Sequence, residues 1–221
     1  EQLLNGITLT KIRNPPNDCV APIGEEQLRR GLEAIVPAEF YASTTRPPAV
    51  YRGNPFIIEA AVAYGGEHHN GDQPARLMRF ANRVPLLYQQ GACCSFNSVI
   101  KVNWRSYNLQ QPRGALPVAP ISIVIHMASV WVPFTSESKE AIARYPEIED
   151  QMVLALQECG RKLKLYLSRK RRSVEQQRKQ SYIKTYIPHI GIGLRDLVGL
   201  SESEQQHVVE TLTGMLERSG D

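Results

Sequence analysis

Ile121-Ser122-Ile123-Val124-Ile125-His126-Met127-Ala128-Ser129-Val130-Trp131-Val132 is the stretch on which the fold turns. Its β-branched residues (Ile121, Ile123, Val124, Ile125, Val130 and Val132) are stiff at χ1 and suit a pleated surface, which predicts a buried strand over residues 121–132. A membrane span is the competing explanation of so apolar a run. It fails because Ser122, His126 and Ser129 interrupt the stretch and no run of 18 apolar residues exists. His126, inside the strand, reads as a satisfied core histidine rather than a metal ligand.

Working toward the N-terminus, Phe56, Ile58, Ala60, Val62 and Tyr64 share one face of a strand over residues 56–64 that Gly65-Gly66 stops. Residues 67–72 make an exposed polar loop. Residues 76–88 are a second strand candidate broken by Pro85, and residues 89–102 predict a helix leading to a short strand. Strand character begins near Tyr51. Before it, residues 1–40 read as a helical appendage, with Asn14-Pro15-Pro16-Asn17-Asp18 as a connector. A helix follows over residues 24–35, with Glu25 and Glu26 in its first turn, and Pro37 ends it.

Toward the C-terminus the pattern turns helical. Thr135 or Ser136 is expected to cap a short helix, and Pro146 to open the next. Ile148, Met152, Ala155 or Leu156, Cys159, Leu163 and Tyr166 then recur every three or four residues, an apolar seam on a long helix running toward Gln180. Such a helix serves as a lever, a stalk or a partner-binding arm. Gly191-Ile192-Gly193 reads as a flexible connector. Ser201-x-x-Glu204 is a capping box opening a last helix that carries Val208, Val209, Leu212 and Leu216.

Composition bounds the function. With 42% hydrophobic and 22% charged residues in 221, the chain is neither disordered nor membrane-embedded in character. Glu1 is followed by no charged-then-apolar leader, and the expectation is that something precedes it. Cys19, Cys93, Cys94 and Cys159 lack C-x-x-C spacing and predict reduced thiols; no metal site is expected, His68-His69 included. The net charge of +4 is uneven: residues 161–179 hold nine basic residues against Glu175, leaving the remainder at −4.

Three constellations carry candidate chemistry. Lys139, in the first turn of the helix expected after Thr135-Ser136-Glu137-Ser138, sits where free N–H groups favour an anion, so the segment could receive a phosphate. A solvated lysine beside Glu137 and Glu140 fits the local pattern as well. Trp104-Arg105-Ser106-Tyr107 sets two aromatics around a cation and suits nucleic acid, or plain packing. Arg169-Lys170-Arg171-Arg172 suits DNA phosphates, an acidic partner, nuclear import or a solvated face. Gly191-Ile192-Gly193 has no strand before it or Lys-Ser after it and is no nucleotide loop. No Ser-His-Asp or paired-carboxylate centre is found.

Several strings resemble the B subunit of type IIB DNA topoisomerases (topoisomerase VI). They include Tyr51-Arg52-Gly53-Asn54-Pro55-Phe56, Arg79-Phe80-Ala81-Asn82-Arg83-Val84-Pro85-Leu86-Leu87-Tyr88 and Trp131-Val132-Pro133-Phe134-Thr135-Ser136-Glu137-Ser138-Lys139. With others they spread over residues 45–164 in family order. The resemblance implies an α+β chain: a ribosomal protein S5 domain 2-like transducer with a helical N-terminal segment and a long C-terminal helix. Residues 1–40 would end a helix-two-turn-helix-like insert, 41–180 form the transducer with its arm helix, and 181–221 a helical extension.

It also implies roles. Lys139 falls on the transducer lysine that reaches the ATP γ-phosphate in the family. Trp104, Arg105 and Tyr107 resemble the family's Trp-Lys-x-Tyr motif, with arginine replacing lysine, and imply DNA or signalling contacts; Arg169, Lys170, Arg171 and Arg172 are DNA-contact candidates by their density of charge. ATP and Mg2+ would be bound mainly by an ATPase domain outside this chain. The partners implied are the DNA-cleaving A subunit, a second B subunit and double-stranded DNA, with no membrane. Residues 173–221 and the basic run suggest a plant-like, nuclear member. The rivals are an S5-like nucleic-acid-binding module without topoisomerase coupling and a small-molecule kinase, which lacks its glycine-rich loop here.

Overall fold

The computed structural model describes residues 2–10, 20–66 and 71–218. The Asn14-Pro15-Pro16-Asn17-Asp18 connector, Cys19 and the His68-His69 pair lie outside the described residues. The chain divides after Leu165 into two units.

In the first unit, β3 (Asn54–Tyr64) runs antiparallel to β6 (Ile121–Ser129), with Phe56 opposite Ser129 and Tyr64 opposite Ile121. β1 (Phe40–Thr45) and β2 (Ala49–Tyr51) pair antiparallel with β3. On the other side β4 (Arg76–Ala81) lies parallel to β6 and carries β5 (Val84–Pro85) antiparallel on its edge. The order is β1-β3-β6-β4-β5, with β2 beside β3. A parallel β4–β6 pair needs a crossover, and α3 (Cys94–Lys101) supplies it.

Every residue of β6 is buried, as a central strand covered on both faces must be. One face takes α2 (Glu25–Ile35), whose Leu28 and Leu32 pack with Val36, Ala61, Ala63 and Val124. The other takes the first turns of α4 (Pro146–Val198), where Cys159 Sγ lies 3.6 Å from the Ala60 carbonyl. The seam expected on that helix is real: Ile148, Met152, Leu156 and Leu163 are fully buried. At about 1.5–3 kcal/mol each, their burial is comparable with the net stability of a whole domain. Lys162 adds a tie, donating to Glu25 and to the Ser43 carbonyl at 2.8 and 2.7 Å.

The α+β expectation holds, with local corrections. β6 stops at Ser129, whose amide and carbonyl both pair with the Asn82 side chain; Val130 and Trp131 then turn half-exposed. β1 starts well before the expected onset near Tyr51, because its buried polar Ser43 and Thr44 hide the alternation. The strand candidate over residues 76–88 breaks at Asn82-Arg83, both left-handed at φ 47 and 69, which suits a tight hairpin turn. After α3 comes no strand; residues Trp104–Tyr107 form a short 3₁₀ turn instead. An N-terminal helix α1 (Gln2–Leu9) precedes the sheet.

In the second unit α4 continues to Val198 and α5 (Glu202–Arg218) follows. The flexible connector expected at Gly191-Ile192-Gly193 is instead helical. The reason is packing: a Cβ at Gly191 would lie 2.6 Å from Val209 Cγ2 on α5, so glycine there serves close approach. The capping box is present, with Ser201 N–H donating to Glu204 at 2.8 Å and Glu204 N–H to Ser201 Oγ at 3.4 Å. Among the described residues no helix is long and apolar enough to cross a membrane.

Candidate functional site

Lys139 does not open a helix. Residues 134–142 form a loop closed by a bridge between Phe134 and Ile142 and by Thr135 N–H donating to the Ala141 carbonyl at 2.9 Å. The hydroxyls explain why the helix fails: Ser136 and Ser138 bond each other at 2.7 Å, and Thr135 Oγ1 donates to Ala141 at 3.3 Å. Local bonds of this kind compete with helical ones. No helix terminus therefore draws an anion to Lys139; the turn itself must present the charge.

Lys139 is exposed, at φ 55, with its N–H donating to the Ser136 carbonyl at 3.2 Å. Left-handed backbone costs a non-glycine residue about 1–2 kcal/mol, and such strain persists where the surroundings hold it. Its ammonium has no hydrogen-bond or ion-pair partner among the described residues. The loop base is firmly held, since Ala141 and Ile142 are fully buried. Cys94 N–H donates to the Ile142 carbonyl at 2.9 Å, and Ile142 N–H to Cys93 Sγ at 3.4 Å. A lysine projected from a rigid base, beside two hydroxyls, is chemically suited to a terminal phosphate. Lys139→Gly should raise stability by about 0.5–1 kcal/mol in thermal unfolding, relief of strain exceeding the added chain entropy. A loss of stability would show that the side chain is held by contacts of its own.

Trp104 needs a correction. It is fully buried, with Nε1–H donating to the Val99 carbonyl at 2.8 Å, so it offers no face on which a base could stack. Arg105 is exposed, but its guanidinium donates twice to the Gln111 carbonyl, at 3.0 and 2.7 Å. Tyr107 meets Trp104 edge-on at 6.1 Å and lies against Gly160 of α4. Arg169, Lys170, Arg171 and Arg172 are all exposed on α4 in the second unit, Arg171 3.7 Å from Glu175. No hydrogen bond, ion pair or ring contact among the described residues joins Lys139 to the Trp104–Tyr107 turn.

A buried polar centre escaped the sequence. Glu59, fully buried on β3, accepts from Ile23 N–H at 2.8 Å, Gly24 N–H at 2.7 Å, Thr45 Oγ1 at 2.9 Å and His126 Nδ1 at 2.7 Å. Arg83 N–H donates to His126 Nε2 at 3.0 Å, which assigns the ring proton to Nδ1. Burial alone would raise the Glu59 carboxyl; the His126 bond, the two backbone amides and Thr45 together bring it below its ordinary value. The carboxylate thus sits at the N-terminal end of α2, and His126 is the satisfied core histidine expected. Burial pushes the Cys94 and Cys159 thiols up to about 12, so neither is a nucleophile. Among the described residues no group of three His, Cys, Asp or Glu could hold a metal ion.

These features define a class first: an α+β domain that presents a lysine on a braced turn and continues into a long helix. The family follows from comparison. The chain belongs to the family described as topoisomerase VI B subunit, transducer, which matches residues 15–179. It is similar to the B subunit of type 2 DNA topoisomerase 6 of Methanosarcina barkeri (strain Fusaro / DSM 804), 43% identical over 215 residues, 97% of this chain and 34% of that one. The same protein of Archaeoglobus fulgidus is 44% identical over 215 residues, 97% of this chain and 35% of that one. The chain thus spans about a third of the length of these relatives. A solved DNA gyrase B subunit from Myxococcus xanthus shares 16% identity at a TM-score of 0.39, covering 62% of this chain and 38% of that one.

Proposed function

We propose that this chain is the transducer of a type IIB topoisomerase B subunit, coupling ATP binding and hydrolysis to passage of one DNA duplex through another. The single observation that carries the reading is Lys139, held at φ 55 on a turn braced by α3, with its ammonium unpartnered among the described residues. ATP would supply a terminal phosphate whose charge changes on hydrolysis. Lys139 would hold that phosphate, with Ser136 and Ser138 as neighbouring donors. Most of the nucleotide site and the ligands of Mg2+ would come from a domain outside this chain.

In this mechanism ATP brings two B subunits together, the transducer shifts against its nucleotide-binding neighbour, and α4 carries the shift to the DNA-cleaving A subunit. Family membership supports the partners, because the similar proteins are B subunits by name. The decisive test is Lys139→Ala in the whole complex, which should lose ATP-coupled strand passage while A–B assembly stands.

Arg169, Lys170, Arg171 and Arg172 we assign to DNA phosphates, with Arg105 as a secondary contact; Tyr107, seated on Gly160, we leave out of the DNA interface. Replacing the four by glutamine should flatten the slope of log affinity against log salt by up to about 3–4, near 0.9 for each phosphate no longer neutralised. An unchanged slope would remove the run from the DNA interface. The same run is our basis for a nuclear, plant-like setting. A fluorescent fusion of the whole subunit should then collect in the nucleus, and a signal confined to the cytoplasm would overturn that placement.

A further inference from the structure

The Lys139 turn and the helix α4 are joined by a continuous series of contacts, each made by named atoms. The turn's base is bonded to the start of α3: Cys94 N–H meets the Ile142 carbonyl at 2.9 Å, and Cys93 Sγ accepts Ile142 N–H at 3.4 Å. Cys94, Ser95, Ser98 and Val99 are buried, so α3 is packed into the domain along the face they share. At its far end Trp104 Nε1–H holds the Val99 carbonyl at 2.8 Å. Gln111 clamps the same corner, accepting from Trp104 N–H at 3.1 Å and donating to the Ile100 carbonyl at 3.2 Å.

The last contact is made by Tyr107. Tyr107 touches Trp104 edge-on, and its ring covers α4 at Gly160 so closely that a Cβ there would lie 2.6 Å from Cε2 and 2.7 Å from Cδ2. A glycine in a helix interior costs roughly 1 kcal/mol relative to alanine, so its presence calls for a packing reason, and the tyrosine ring is that reason. α3 reaches α4 a second time through Lys101, 3.1 Å from Asp150.

We propose that Tyr107 seated on Gly160 is the joint by which a displacement of the Lys139 turn is passed, through α3 and Trp104, to the long helix. Tyr107 is then a positioning residue whose partner is α4, and Trp104 seats Tyr107. The functional side of the proposal rests on the transducer reading above; the mechanical side does not. Packed side chains and short hydrogen bonds are what can carry such coupling, and only a coupling measurement establishes it.

The test has two arms. In the first, this chain carries 3-fluorotyrosine, and the Tyr107 fluorine signal is assigned by its loss in Tyr107→Phe. Gly160→Ala must move that signal, and so must Ile142→Val, which trims one methyl at the distant base of the Lys139 turn. Tyr41, on the α2 side of the sheet, is the internal control. A Tyr107 signal that ignores Ile142→Val, or shifts no more than that of Tyr41, overturns the proposal.

The second arm uses the whole two-subunit complex with Tyr107→Leu, or with Gly160→Ala if the leucine variant does not fold. Strand passages per ATP hydrolysed should fall at least about five-fold, the low end of an allosteric coupling, with DNA affinity and ATP hydrolysis each within about two-fold of wild type. A parallel loss of DNA affinity would assign the motif to DNA and overturn the joint. A wild-type complex without ATP-dependent strand passage would instead sink the transducer reading, and the fluorine arm would still decide the joint.

Discussion

Replacing Lys139 by alanine in the whole complex is expected to slow ATP-dependent strand passage by about 100-fold, the usual cost of deleting one preorganised charged donor to a reacting oxyanion. The turn carries the side chain outward, and its base is set by the buried Ala141 and Ile142. Alanine should therefore leave the fold and the A–B complex intact. Lys139→Arg keeps the charge but changes the donor geometry, and intermediate activity is expected of it. Decatenation assays at saturating ATP read the effect, with size-exclusion chromatography as the assembly control. Undiminished decatenation by the alanine variant would remove Lys139 from the nucleotide cycle.

The largest effect on stability is expected at Glu59. Glu59→Ala strands two backbone amides, a hydroxyl and an imidazole N–H in a fully buried site, at a cost of about 3–5 kcal/mol. Glu59→Gln should cost nearly as much, because each carboxylate oxygen faces donors and an amide NH2 would meet at least one of them. Net domain stability is only about 5–15 kcal/mol, so urea unfolding should show both variants close to collapse. A loss under about 1 kcal/mol would mean that the network relaxes around the gap.

Acid gives the same group a second signature. The Glu59 carboxyl is lowered from its ordinary 4.5, so the folded state binds its proton less readily than the unfolded chain. Its contribution is therefore complete above 4.5 and is lost as pH falls through the lower folded value. Wild-type stability should decline across that acid window, and the decline should be shallower in Glu59→Gln.

Some of this was plainly legible in the sequence. β6 is dense with β-branched residues, the α4 seam repeats at helical spacing, and Ser201 with Glu204 satisfies a capping box, so local chemistry alone announces each. Where tertiary contacts decide, local signals mislead. Gly191-Ile192-Gly193 reads as a flexible connector, yet its glycine is there because Val209 approaches, and that neighbour lies eighteen residues away in the chain. Ser43 and Thr44 make β1 look polar, although Ser43 is covered by bonds to Glu25 of α2 and Lys162 of α4.

The candidate site shows the same limit. Lys139 is legible only through its resemblance to the family. The capped helix expected around it does not form, since the hydroxyls bond one another and close a loop. Trp104 suits a stacking surface on paper because sequence spacing cannot tell a core aromatic from an exposed one. Glu59 and His126 lie sixty-seven residues apart and meet only through the β3–β6 register, so no spacing rule could pair them.

If nucleotide state, sensed at Lys139, is converted into a movement of α4, a distance measured in the whole complex must report it. One spin label is placed at Ser173, exposed on α4, and the other on the nucleotide-binding portion of the same subunit. A non-hydrolysable ATP analogue is expected to shift the distance distribution in the wild type and to leave it in place in Lys139→Ala. A wild-type distribution indifferent to the analogue, or a shift that survives in Lys139→Ala, would contradict the coupling.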